Sequence, residues 1–315
     1  MSIFSGRSSS ALMAKLCAGH YRGAQTFTLN SMYKAAIISK PQKPEVATLL
    51  PELIEWLRQH EYEAVLDTDS AAYLGVPGMD RTLLPREHPE LVIVLGGDGT
   101  LLSAARAFAH TETPILSVNL GSLGFLTEIP LSDLYQTLDN WCNGIADLDS
   151  RTMMNARLIR DGKVRREWDA LNDVVVAKGT IARMADYTVE IDDQLVATFR
   201  ADGVIVSTPT GSTAYNLAAN GPIVMPSVNA MVVTPICPHL LTIRPIVMPG
   251  ESSISIRVEG VPNQIFLTVD GQEAIELLLN DEVQCRRSTS TVRLLRLRPN
   301  GLFNVLRSKL KWGVR

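Results

Sequence analysis

Along the chain, the spacing of apolar residues has two textures that change near residue 150. Before that point, short apolar runs alternate with stretches in which apolar residues recur every three or four positions. Residues 35–38 form the first run, and Val46, Leu49, Leu50, Leu53, Ile54 and Leu57 then trace one helical face. Pro51 can open a second helical segment there, because the first position of a helix tolerates a residue without an N–H. Residues 91–95, Leu-Val-Ile-Val-Leu, are apolar throughout, as in a central parallel strand covered on both faces. Residues 101–108 read as helix, 115–118 as strand and 131–141 as helix. This alternation predicts an open, Rossmann-like α/β domain over residues 34–150.

After residue 150 the period shortens to two. Residues 156–160 and 164–168 flank Asp161-Gly162, a hairpin signal. Tyr187, Val189 and Ile191 alternate with polar residues, and Leu195, Ala197 and Phe199 answer them across a short acidic turn. Further β-rich runs lie at 204–207, 254–258, 265–269 and 292–297. A C-terminal β-sandwich over residues 151–290 is expected, then a last strand and tail helix over 291–315. The final 30 residues carry nine Lys/Arg and no acid. Phe303, Leu306 and Leu310 are read as the stripe that docks the tail helix, with its charges solvated.

Residues 1–33 stand apart, with no acid, many serines and only Arg7, Lys15 and Arg22 as cations. An organelle-targeting presequence has that composition. So does an upstream extension, or a chain whose start belongs at Met32; a flexible extension is the reading taken. A length of 315 residues agrees with two domains, each able to bury a core. With 30 Lys+Arg against 33 Asp+Glu, the net charge of -3 lacks the basic excess of a dedicated nucleic-acid binder. No uninterrupted apolar run of about 18 residues marks a membrane-spanning helix. Cys17, Cys142, Cys237 and Cys285 are widely spaced and read as free thiols of a reducing compartment, here taken as cytoplasmic. The five histidines show no metal-ligand spacing, and His239 between Pro238 and Leu240 reads as a packed residue.

Four segments carry candidate chemistry. Gly96-Gly97-Asp98-Gly99-Thr100 follows the 91–95 strand and precedes a helix, so unhindered N–H groups and a helix start suit phosphate oxygens. It is neither a Walker loop nor a dinucleotide fingerprint, since Leu102 stands at the third glycine position. Asp98 would repel phosphate there, so a structural turn or a chemical base must justify it. Asn119-Leu-Gly-Ser-Leu-Gly-Phe-Leu-Thr127 also follows a strand, at the sheet edge where ligands collect. Asn119 can bond a base or ribose, and the segment reads equally as a glycine-rich connector. Asp202-Gly-Val-Ile-Val-Ser-Thr-Pro-Thr-Gly-Ser-Thr-Ala-Tyr-Asn216 holds five Ser/Thr residues before a helix expected near Thr213, suited to ribose hydroxyls and an adenine edge. Asn172-Asp173 can grip a vicinal diol, or form an Asx turn at a strand start.

Together these segments resemble the NAD kinase family, in its bacterial type, over residues 34–315. The resemblance rests on 96–100, Asn119 through Thr127, Asn172-Asp173, 202–215 and Val269-Asp-Gly-Gln272. Gly-Asp-Gly is shared with diacylglycerol, sphingosine and 6-phosphofructokinase relatives, whereas Thr208-Pro-Thr-Gly-Ser-Thr-Ala-Tyr215 is specific. The resemblance implies ATP-dependent phosphorylation of the 2′-hydroxyl of the adenosine ribose of NAD, giving NADP. It implies Asp98 as general base, with Gly99 beside it at the NAD site. Gly96, Gly97, Gly99, Thr100 and Asn119 fall in the ATP and phosphate region. Asn172 and Asp173 match ribose- and amide-binding positions, although the family more often has Glu where Asp173 stands. Arg183 and Arg200 flank the dinucleotide, Asp202 meets the nicotinamide carboxamide, and Gln272 is a further NAD contact. Thr213, Ala214, Tyr215, Asn216, Leu217 and Ala218 match the adenosine-binding run, with Tyr215 against the base. Also implied are NAD in a cleft between two domains, a divalent cation (Mg²⁺ arriving on ATP, without dedicated protein ligands) and a homodimer or homotetramer. Neither nucleic acid nor membrane is expected as a partner. The rivals are a lipid kinase of the diacylglycerol or sphingosine type, and a non-catalytic NAD(H) sensor.

Overall fold

The computed structural model describes residues 32–121, 124–179, 183–259, 264–296 and 302–312. The acid-free leader lies outside them except for its last two residues, and Tyr33 already begins the first strand. In chain order the elements are β1 (Tyr33–Ser39), α1 (Pro44–Gln59), β2 (Tyr62–Leu66), α2 (Thr68–Ala72), β3 (Leu91–Leu95), α3 (Asp98–Ala107), β4 (Ile115–Asn119), β5 (Ile129–Pro130) and α4 (Leu134–Cys142). Strands β6 (Asp147–Arg160), β7 (Lys163–Ala170), β8 (Asp173–Lys178), β9 (Ala185–Ile191), β10 (Gln194–Ala201) and β11 (Gly203–Ser207) follow. The last elements are α5 (Tyr215–Ala218), β12 (Ala230–Ile236), β13 (Ile246–Pro249), β14 (Ile254–Glu259), β15 (Ile265–Val269), β16 (Glu273–Glu276), β17 (Glu282–Arg296) and α6 (Leu302–Leu310).

The chain divides into two units. The first takes residues up to 107, 113–149 and everything from 293; the second takes 108–112 and 150–292. In the first unit a parallel sheet runs β2-β1-β3-β4, and Leu294 of β17 pairs with Ile115 beside β4. Every residue of β3 and β4 is buried, as their unbroken apolar runs require. Helix α1 buries Val46, Leu49, Leu50, Leu53 and Leu57 in one cluster with Ile37, Ile93 and Leu95. It runs through Pro51 without a second start, and the proline at the first turn is Pro44. Burying five apolar side chains outweighs the roughly 3 kcal/mol that an interior proline costs.

The tail helix α6 forms, but on a different face from the one expected. Leu302, Val305 and Leu306 are buried, whereas Phe303 is 53% exposed. The set 302, 305, 306 shares one side of a helical turn, and Phe303 lies off it. Leu306→Ala should therefore lower stability by about 2–5 kcal/mol, the usual range for emptying a buried leucine site. Phe303→Ala should change it little, and thermal unfolding of the two variants reads the contrast.

The second unit is built from antiparallel strands. One group runs β10-β9-β14-β17, with the β6–β7 hairpin joined through β6 to β17. The other is a six-stranded sheet, β13-β12-β11-β8-β15-β16. Both contribute to one core that includes Leu158, Tyr187, Val206, Val233, Ile256 and Leu267. This is the sandwich expected from the alternating pattern. Its tight turns use left-handed residues: Asp161 and Gly162 at φ 53° and 69°, and Asp192 and Asp193 at φ 51° and 61°. Two consecutive positive-φ residues form the turn type whose twist matches paired strands.

Candidate active site

In the first unit, candidate chemistry collects where β3 and β4 end. A Cβ on Gly96 would lie 2.4 Å from Thr100 Oγ1, so only glycine allows the chain to turn there into α3. Asp98 opens that helix, half-buried, with Gly99 exposed beside it. Its carboxylate reaches the loop after β4. Phe125 N–H donates to Oδ2 at 2.9 Å. Leu126 N–H, Thr127 N–H and the Thr127 hydroxyl donate to Oδ1 at 3.2, 3.0 and 2.9 Å. Three successive N–H groups converging on one anion form a nest. Oδ1 is thus filled, while Oδ2 keeps room for one more donor.

The amide of Asn119 closes the same loop, its Oδ1 accepting from Gly121 N–H at 2.7 Å and its Nδ2 donating to Thr127 O at 3.5 Å. Asn119 thus braces the loop from within, as the connector reading of this segment expects. Thr127 is the residue that motif reading passed over. Its only sequence signal was its place at the end of the Gly-Phe-Leu-Thr run.

In the second unit Asn172 and Asp173 sit where β8 begins, both buried. The Thr208 N–H donates to Asn172 O at 2.9 Å, and the Thr208 hydroxyl donates to Leu171 O at 2.6 Å. Gly211 passes so close that an added Cβ would lie 2.0 Å from Asn172 O. The hydroxyls of the Ser/Thr run point into the protein. Ser207 donates to Thr208 O, Ser212 pairs with Val224, and Thr213 donates to Thr210 O. Thr210 accepts from the buried guanidinium of Arg151 at 3.2 Å. The hydroxyls of the run are therefore engaged by partners within the protein. Its helix is short, a 3₁₀ turn over Thr210–Thr213 followed by α5.

Within α5, Tyr215 is exposed and its N–H bonds the Asp173 carboxyl. Asn216 is fully buried: Nδ2 donates to Ser212 O and Pro222 O, each at 3.0 Å, and Oδ1 accepts from Thr234 Oγ1 at 2.7 Å. Its amide is thus bonded on both sides within the protein. Thr213, Ala214 and Leu217 are half-buried, and Ala218 is exposed. Asp202 pairs with Lys178 at 3.1 Å, and Arg200 with Asp186 at 2.8 Å. Arg183 and Gln272 are exposed.

Burial, then the charge of Asp270, push the Asp173 carboxyl up to about 7, with the Tyr215 N–H opposing them. In the unfolded chain this group titrates near 3.8. Between those values the folded state holds the extra proton, so the ionisation penalty is absent below pH 4 and complete above pH 7. Asp173→Asn removes a pH-dependent loss of up to about 4 kcal/mol. Urea midpoints at pH 5 and pH 8 should show the variant gaining on the parent as pH rises, and parallel curves would contradict this.

Residues 35–146 match the ATP-NAD kinase N-terminal domain, and 171–297 match the ATP-NAD kinase C-terminal domain. The chain belongs to the ATP-NAD kinase family. NAD kinase of Acidobacterium capsulatum is 59% identical over 288 residues, 90% of this chain and 100% of that relative. NAD kinase of Koribacter versatilis is 53% identical over 285 residues, again 90% of this chain and 100% of the relative. Among solved structures, yeast NADH kinase complexed with NADH has a TM-score of 0.82 at 25% identity, covering 91% of this chain and 89% of that one. The fold is also that of an NAD kinase from Archaeoglobus fulgidus in complex with ATP, with a TM-score of 0.71 at 23% identity over 88% of this chain and 98% of the other. As an NAD kinase the chain is an enzyme, so the half-buried carboxylate at the end of β3 needs a chemical account as well as a structural one.

Proposed function

We infer that the protein transfers a phosphoryl group from ATP to the 2′-hydroxyl of the adenosine ribose of NAD, giving NADP and ADP. The observation that supports this most directly is the Asp98 carboxylate, held by four donors of which three meet Oδ1 and one, the Phe125 N–H, meets Oδ2. A ribose hydroxyl is a weak nucleophile at neutral pH, and a fixed carboxylate can take its proton as attack proceeds. The proton passes to Oδ2, the new bond forms between the 2′-oxygen and the γ-phosphorus, and the bond from that phosphorus to the β–γ bridging oxygen breaks. ADP leaves with the electron pair. Gly96, Gly97, Gly99 and Thr100 are assigned to the phosphate region of ATP, in keeping with a reaction that depends on alignment and charge neutralisation. The Gly96 and Thr100 N–H groups themselves donate to Val118 O and Gly97 O, so they shape the turn.

Among the described residues no group of three or more His, Cys, Asp or Glu could hold a metal ion. The divalent cation is assigned to the substrate, as Mg²⁺ carried by ATP, because Mg²⁺ keeps several waters and is commonly held through substrate phosphates. Asn172, Asp173, Thr213, Ala214, Tyr215, Leu217 and Ala218 are assigned to the adenosine side of NAD. Arg183, Arg200, Asp202 and Gln272 are assigned to the remainder of the dinucleotide. The assignment draws on the match to the yeast enzyme, solved with NADH. A homo-oligomer is proposed because the sheet edge at β13 exposes Ile246 and Val247 near exposed Leu240 and Leu241. A cytoplasmic site of action is proposed as well, and no helix among the described residues is long and apolar enough to cross a membrane. A coupled assay for NADP formed from NAD and MgATP tests the reading. Binding of NAD without turnover would favour the sensor alternative, and phosphorylation of diacylglycerol or sphingosine the lipid-kinase one.

A further inference from the structure

The Asn172–Asp173 corner is held by a residue to which no part in the reaction has been assigned. Asp270 lies in the turn between β15 and β16 and is only 6% exposed. Its Oδ1 accepts the N–H of Asn172 at 2.8 Å and of Asp173 at 3.1 Å, and its Oδ2 accepts the N–H of Leu171 at 3.0 Å. In return, the Asp270 N–H donates to Asp173 O at 2.9 Å. Asp270 and Gly271 both have positive φ, 49° and 64°, so the turn is an ordinary hairpin type. An exposed Asn-Gly would close such a hairpin equally well. A carboxylate buried in a turn is instead expensive unless fully bonded, and here the bonds go to three consecutive N–H groups of a neighbouring strand start.

That strand start presents unused polar groups. Asn172 Oδ1 is buried without a hydrogen-bond partner in the protein, and the Asn172 side chain is nine-tenths buried. Asp173 lies beside it, facing Asp270 from the β15–β16 turn and the Tyr215 N–H from α5. We propose that Asp270 is a positioning residue: it seats residues 171–173 on one carboxylate and aims Asn172 and Asp173 at the dinucleotide. The inference rests on the assignment of Asn172 and Asp173 to NAD. The neighbouring negative charge, added to burial, is what holds the Asp173 proton at neutral pH. A protonated carboxyl donates to a ribose oxygen, and loses that ability as pH rises past its midpoint.

The test compares the pH dependence of kcat and KM for NAD in the full-length enzyme, in Asp270→Asn and in Asp173→Ala. The parent should show KM rising through neutral pH, and Asp173→Ala, which has no polar group to offer, should be flat with a raised KM. Asp270→Asn should raise KM about tenfold or more with kcat changed less than about threefold. Its KM inflection should move about one pH unit or more toward acid. A merely structural role would lower thermal stability and leave that inflection in place. An Asp270→Asn enzyme with parental KM, or with an unmoved inflection, overturns the proposal. Should Asp270→Asn fail to fold, Asp270→Glu keeps the charge and displaces it. A raised KM with the neutral inflection retained supports the proposal there, and a parental KM overturns it. A parental KM in Asp173→Ala removes the NAD assignment itself. A raised KM there beside a parental KM in Asp270→Asn removes only the positioning role.

Discussion

Asp98→Asn is expected to bind NAD within a few-fold of the parent while kcat falls about 10²–10⁴-fold, the range for losing a positioned proton acceptor. The argument is local. Asparagine keeps the shape of the side chain but has one acceptor oxygen where aspartate has two. If that oxygen takes the place of Oδ1, it can still receive the Leu126 and Thr127 donors, which approach at 2.9–3.2 Å. The amide nitrogen then faces the Phe125 N–H, which donates to Oδ2 in the parent. A donor meets a donor, and the position of Oδ2 is no longer basic. Single-turnover formation of NADP, set beside NAD titration by calorimetry, separates the chemical step from binding. A kcat within tenfold of the parent would sink the base assignment. A matching collapse in NAD affinity would instead point to a displaced loop.

Gly124→Ala should give the second large loss, without altering any reacting group. A methyl at this position would lie 2.1 Å from Asp98 Oδ1 and 2.3 Å from Thr127 Oγ1, far inside contact distance. Either the carboxylate or the loop must move. Misplacement of a reacting group by about 1 Å is enough to cost roughly 100-fold in rate. The variant should remain folded, because the clash involves side-chain tips at the edge of the first unit and not its apolar cluster. The comparison is kcat for Gly124→Ala against Gly121→Ala in the same loop, whose added methyl meets only Asn119 Oδ1, at an ordinary 3.9 Å. Equal losses in the two variants would mean that backbone freedom, and not the seat of Asp98, is what matters.

The readable parts of this chain were those in which partners lie close in sequence. The apolar run 91–95 and the glycines after it announce a buried parallel strand and its turn, and both are found where expected. The Asp161-Gly162 hairpin is equally local. Long-range partners were not readable. The Thr208 hydroxyl bonds Leu171 O from 37 positions away, so a run that looked rich in free hydroxyls is occupied internally. Asp270 reaches the 171–173 N–H groups across nearly 100 positions, and in sequence it looks like one more turn aspartate. Asn216 was similarly hidden, since its acceptor role toward Thr234 joins elements with no shared pattern. The tail helix shows the same limit in milder form: periodicity predicts that a helix forms, while the surface it meets decides which stripe is buried.

The return of the chain to its first unit has a practical consequence for dissecting the enzyme. Leu295 belongs to the same apolar cluster as β1, β3 and α1, and Arg296 forms ion pairs with Glu128 and Asp149. A fragment cut at residue 149 would lack these contacts, exposing the flank of β4 and leaving two carboxylates without their shared guanidinium. Anyone wishing to express that half by itself should graft residues from about 293 onward back through a short linker, because a simple truncation discards part of its own core.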